Sequence, residues 1–126
     1  MDRKTLLRNI PLFESLSPED LDALAARFEE RQADASSIIF RRGESGSTLY
    51  VIRDGGVEIS TGEGRQKIVL TTLFEGQYFG ELSLLDGAPR SATATTLKPC
   101  EFLALDRDDF VEFLRKKPDA AISIRR

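Results

Sequence analysis

Phe79-Gly80-Glu81-Leu82-Ser83-Leu84-Leu85-Asp86-Gly87-Ala88-Pro89-Arg90-Ser91-Ala92 is the stretch around which the chain is organised. It reads as a tight entry, one short helical turn, a Gly/Pro loop and the start of a strand. Gly80 has no Cβ, so the backbone there can approach another group closely. The turn that follows presents free N–H groups at its start, and such an N-terminus attracts anions. Arg90 follows nine residues after Glu81, with a planar fork that suits phosphate better than a lysine does. Pro89 restricts Ala88 to extended geometry and so fixes the approach to Arg90. Amide donors and a guanidinium for a phosphate, with a carboxylate to accept from a hydroxyl, together point to a nucleotide.

On either side of this stretch the chain reads as short strands punctuated by turns. Ser37-Ile38-Ile39-Phe40 predicts one strand, and Thr48 to Arg53, carrying Leu49, Tyr50, Val51 and Ile52, a second. Asp54-Gly55-Gly56 is a hairpin signal before Val57-Glu58-Ile59-Ser60, and a further strand runs from Gln66 to Leu73. Ser91 to Leu97 alternates Ala with Thr, Lys98-Pro99 breaks it, and Cys100 to Leu105 forms the last strand. Many short strands at even spacing predict a sandwich or jelly roll.

Helices flank this β region. Leu6, Leu7 and Ile10 fall at helical spacing before Pro11. Ser17-Pro18-Glu19-Asp20 is a helix start, followed by Leu21, Leu24, Ala25 and Phe28 on one face. Asp106-Arg107-Asp108-Asp109 begins another, with Phe110, Phe113 and Leu114 on one face and Lys116 and Lys117 at its end. Asp119 to Arg126 reads as the opening of a further helix. The expected organisation is therefore one domain over residues 1–126: helices over 2–29, a β region over 30–106 and helices over 107–126.

Composition bounds the chemistry. The 126 residues are 40% hydrophobic and 31% charged, as in an ordinary globular domain, and the formal charge of −3 favours neither nucleic acid nor an acidic membrane as partner. There is no histidine, which removes the commonest general base and metal ligand, so no metal is expected. The single cysteine, Cys100, sits in an apolar alternation and is expected in the core. No run is long enough to span a bilayer and the first residues lack an apolar leader, so the expected location is the cytoplasm.

Phe79-Gly80-Glu81-Leu82-Ser83 followed by Pro89-Arg90-Ser91-Ala92 resembles the phosphate-binding cassette of cyclic nucleotide-binding domains, and the resemblance extends over roughly residues 8 to 117. The resemblance implies a mainly β fold with flanking helices, an antiparallel β-roll. It implies a ligand site made of Phe79, Gly80, Glu81, Leu82, Ser83, Arg90, Ser91 and Ala92, with cAMP or cGMP as the regulatory ligand. Glu81 resembles the ribose ligand of the family; against that stands an acid placed in a first helical turn for its dipole. Arg90 corresponds to the phosphate ligand, against a surface arginine or one bridged to Glu81. Ser91 leaves the choice of nucleotide open, leaning to cAMP. Phe79 and one of Val69 and Leu70 are candidates for the wall against the purine, and Ile122 or Ile124 for its cover. The mechanism implied is that phosphate draws the cassette inward, Leu82 repacks and the C-terminal helices close, reporting to an effector.

Rival classes fare less well. A transcription regulator of the catabolite-activator type needs a helix-turn-helix after the roll, so this chain alone is not expected to bind nucleic acid. An enzyme would need a nucleophile elbow, a Walker A loop or a metal cluster, and the sequence has none. A degenerate roll used only for protein contacts usually loses the cassette Arg or Glu, and this chain keeps both. The effector is left open, as is a homodimer.

Overall fold

A computed structural model describes residues 2–124. Five α-helices and eight strands follow in the order α1 (Arg3–Arg8), α2 (Pro18–Ala25), β1 (Glu29–Ala33), β2 (Ile38–Phe40), β3 (Thr48–Asp54), β4 (Gly56–Thr61), β5 (Ile68–Phe74), β6 (Tyr78–Phe79), α3 (Glu81–Asp86), β7 (Thr93–Thr96), β8 (Cys100–Asp106), α4 (Arg107–Lys116) and α5 (Pro118–Ile124). The strands form two four-stranded antiparallel sheets, ordered β1-β8-β3-β6 and β2-β7-β4-β5. Residues 125 and 126 of the expected last helix lie outside the described residues.

The first sheet has two buried faces, which is why β3 and β8 read as nearly continuous apolar runs. Leu49 and Val51 of β3 and Leu103 and Leu105 of β8 point to one side, where they join Leu6, Leu7, Phe13, Leu24, Phe110 and Phe113 from the helices. Ile52 and Phe102 point to the other side, packing with Val57, Phe79, Ala94 and Cys100 between the sheets. Cys100 is thus the buried core residue that its alternation predicts.

Three elements depart from the sequence reading. The α2 stripe was expected to run through Phe28, but the helix ends at Ala25, and Phe28 is buried from beyond the helix end, edge-on to Phe13. Strand β1, Glu-Glu-Arg-Gln-Ala, carries no apolar alternation; its backbone pairs with β8 at the sheet edge, where charged side chains face water. The last helix, expected from Asp119, opens one residue earlier at Pro118, because a proline lacks only an N–H that a first helical position does not use.

Candidate functional site

The cassette is built where β6 ends. Gly80 adopts φ +88 as the cap of α3, a left-handed conformation that glycine takes without strain. A Cβ at Gly80 would lie 2.6 Å from the Thr48 carbonyl oxygen and 2.7 Å from Arg90 Nη1. Glycine is therefore demanded twice, by backbone conformation and by the closeness of Arg90. The helix then turns for six residues, and the Ser83 hydroxyl, buried, donates to the Ala88 carbonyl at 2.9 Å. This bond folds the 86–90 loop back over the helix.

The loop delivers Arg90 into the fold. Its backbone N–H donates to Glu44 O at 2.9 Å, and its carbonyl accepts from Gly43 N at 2.7 Å, which ties it to the turn before β3. Its side chain is only 5% exposed. One nitrogen, Nη2, donates to the Thr48 carbonyl at 3.0 Å, while Nε and Nη1 are buried with no partner in the fold. Burial holds the guanidinium below its usual pKa, opposed by the charges of Tyr50 and Glu44. Among the described residues no acid forms an ion pair with Arg90, so the bridge to Glu81 weighed from sequence does not form. Two buried donors without acceptors, on a group that is always charged, mark a place where an acceptor is missing.

Around Arg90 lies a cavity of about 260 Å³ lined by Tyr78, Phe79, Gly80, Glu81, Leu82, Ser83, Ala88, Pro89, Arg90 and Ser91. It gathers seven of the eight residues singled out by sequence; Ala92 lies behind, buried just before β7. Glu81 stands at the first position of α3, and burial and then its carboxylate push the Tyr78 phenol up. Phe79 stacks on Tyr50 at 5.1 Å and 11°, with its ring directed into the aromatic core.

The structure places some of the other expectations differently. Leu82 is 60% exposed, and it is Leu84, 1% exposed, that packs against the helical core. The helix sets this difference, since Leu84 and Leu82 lie about 200° apart around an axis of 3.6 residues per turn. Ile124 is buried in the helical core and Ile122 is exposed, and neither lines the cavity. Val69 and Leu70 are both exposed: Ile59 faces Thr71 and Ser60 faces Val69, so Leu70 is an extra residue on β5 and alternation does not choose between them. Sequence reading missed the supports of Arg90, namely Thr48, Gly46 and Phe40. The first is 42 residues away along the chain, and nothing local reports such a contact.

The family model for the cyclic nucleotide-binding domain matches residues 30–117. The chain belongs to the cyclic nucleotide-binding domain family. It is 37% identical over 113 residues to the cyclic AMP receptor protein of Thermus thermophilus, a match covering 89% of this chain and 52% of that protein. The N-terminal domain of a Streptomyces coelicolor transcriptional regulator superposes with a TM-score of 0.88 at 32% identity, covering 94% of this chain and 84% of that one. The regulatory domain of Toxoplasma gondii PKA, solved with cAMP, superposes with a TM-score of 0.82 at 33% identity, covering 88% of this chain and 42% of that one. The chain spans about half the length, or less, of curated relatives that it matches. Among the described residues no helix is long and apolar enough to cross a membrane.

Proposed function

We propose that this domain is a non-enzymatic sensor that binds cAMP, with cGMP the weaker ligand, through the 79–92 cassette. The observation that carries the reading is Arg90: a guanidinium nine-tenths buried, with Nε and Nη1 unpartnered, beside a cavity of nucleotide-like chemistry. Arg90 takes the cyclic phosphate by charge-assisted hydrogen bonds. The first-turn N–H groups of Glu81, Leu82 and Ser83 have no acceptor within their helix and supply further donors. Ser83 contributes its backbone alone, because its hydroxyl is committed to Ala88. Glu81 accepts from the ribose 2′-hydroxyl. Ser91 lies at the rim, Leu82 covers it, and Phe79 and Ala92 shape the wall behind. The preference for cAMP draws on relatives whose names and structures specify that nucleotide.

Transmission to an effector follows from what the site touches. Thr48, whose carbonyl holds Arg90, donates through its hydroxyl to Asp106, and Arg107 N donates to Ser47 O at 2.9 Å. The phosphate ligand is therefore two hydrogen bonds from the start of α4. Leu84 carries the other end of the cassette into the helical core. Binding shifts the helices only as far as the ligand prefers one arrangement over another.

Calorimetric titration with cAMP and cGMP, beside Arg90→Ala, tests this. Native binding with a loss of more than ~1.5 kcal/mol in the variant is expected, the cost of removing a charged hydrogen-bond partner. No heat and no thermal stabilisation by either nucleotide would refute the reading.

A further inference from the structure

Arg90 is held in the fold without a counter-charge, and the group beneath it is an aromatic ring. Phe40 closes β2, and its ring centroid lies 4.1 Å from Arg90 Cζ. That ring is itself fixed, by Tyr50 at 6.2 Å and Phe79 at 5.7 Å. A Cβ at Gly46 would come within 2.5 Å of Arg90 Nε, so bare backbone closes the group from another side. Glu44, the acid whose charge acts on Arg90, is committed elsewhere: its Oε1 accepts from Arg41 N at 2.7 Å.

We propose that Phe40 is a positioning residue for the phosphate-binding arginine, holding the guanidinium by its face where a carboxylate would hold it by its edge. The proposal rests on the reading of Arg90 given above. A carboxylate grips a guanidinium through its in-plane N–H donors, which are the donors a phosphate needs, and cancels its charge. A ring attracts the cation through its quadrupole from above the plane, and does so more strongly where water is excluded. In this structure the in-plane donors are accordingly divided between Thr48 O, for Nη2, and no acceptor, for Nε and Nη1. Phe40 thus immobilises a long side chain while leaving its charge and two donors for the ligand. Preorganisation of this kind improves affinity by removing the cost of ordering on binding.

The test replaces Phe40 in the intact chain with 4-fluoro-, 3,5-difluoro- and 3,4,5-trifluorophenylalanine, which keep the ring's shape while draining its face of electron density. Phe40→Leu and Phe40→Tyr are measured beside them, each titrated with cAMP. Affinity should fall stepwise with fluorination, by about 5- to 30-fold for Phe40→Leu as cation–π energies imply, and recover to about twofold of native in Phe40→Tyr. The unfolding midpoint of the fluorinated chains without ligand should fall by no more than a few degrees, since the ring–cation contact is also made in the free domain. Equal cAMP affinity across the fluorinated series overturns the proposal, since packing alone would then account for the ring. A second readout needs no ligand: the Arg90 Nε–H resonance should carry a ring-current shift that Phe40→Leu abolishes. A native chain with that shift but no cAMP binding overturns the nucleotide reading and upholds the placement by Phe40; absence of the shift overturns the placement itself.

Discussion

Strands β8 and β5 are each seven residues long and largely apolar, yet the fold treats them in opposite ways. β8 lies inside its sheet between β1 and β3, and its leucines feed the helical core while Phe102 feeds the space between sheets. β5 lies at the edge of the other sheet, and Ile68, Val69, Leu70 and Phe74 are all exposed. Apolar surface kept out of the core on a strand so close in composition contributes little to folding. It is available to a ligand or a partner. One buried and one exposed charge make a similar contrast: Arg90, in the cassette, is buried without an ion pair, whereas Glu112 of α4 pairs at the surface with Arg27 and Lys116.

The same substitution made on both strands should have very different effects. Leu103→Ala should cost about 3 kcal/mol, because it empties a fully buried position that cannot fully collapse. Leu70→Ala should move stability by no more than ~0.5 kcal/mol, as expected for a surface site. Urea denaturation of the two variants without ligand decides it; comparable losses would mean that β5 is part of the core after all.

Next in size is Gly80→Ala. The new Cβ must share space with Thr48 O and Arg90 Nη1 in a backbone conformation that L-residues avoid. A loss of about 2 kcal/mol in stability is expected, with cAMP binding abolished because Arg90 is displaced. Retained nucleotide affinity in a folded Gly80→Ala chain would contradict the close packing of the cassette on Arg90.

Arg90→Met should act with opposite signs on stability and on binding. Removing a buried, unpaired charge and keeping most of the volume should raise the stability of the ligand-free domain by about 1 kcal/mol, while nucleotide binding is lost. A variant less stable than native would mean that the bond to Thr48 and the Phe40 ring outweigh the desolvation of the charge.

The same contrast governs what was legible in the sequence. β3, β4 and β8 announce themselves because their apolar residues are there to be buried, and the cassette because its backbone geometry demands particular residues at particular spacings. β1 was illegible: Glu29–Ala33 is held by backbone pairing that any side chain permits. Leu84 went unassigned beside Leu82 because two leucines in one helical turn differ only in the direction they face, which packing decides. The support of Arg90 was hidden for a third reason. Phe40, Gly46 and Thr48 meet it across 42 to 50 residues of chain, and each has an ordinary explanation where it stands in the sequence.

The smallest effect expected lies on the helical side. The Glu112 carboxyl is held below its usual pKa by hydrogen bonds from Lys116 and Arg27, with their charges acting in the same sense. A carboxyl whose folded pKa lies below its unfolded one binds fewer protons in the folded state. Its stabilisation is thus present above the unfolded pKa and lost as pH falls through the folded one. Since the group is solvent-exposed, the pair is worth little. Glu112→Gln should therefore flatten the acid limb of the stability–pH curve slightly and leave neutral-pH cAMP affinity unchanged. A change in affinity instead would place Glu112 on the route between the site and α4, and the division between a paired surface and a poised interior would no longer hold.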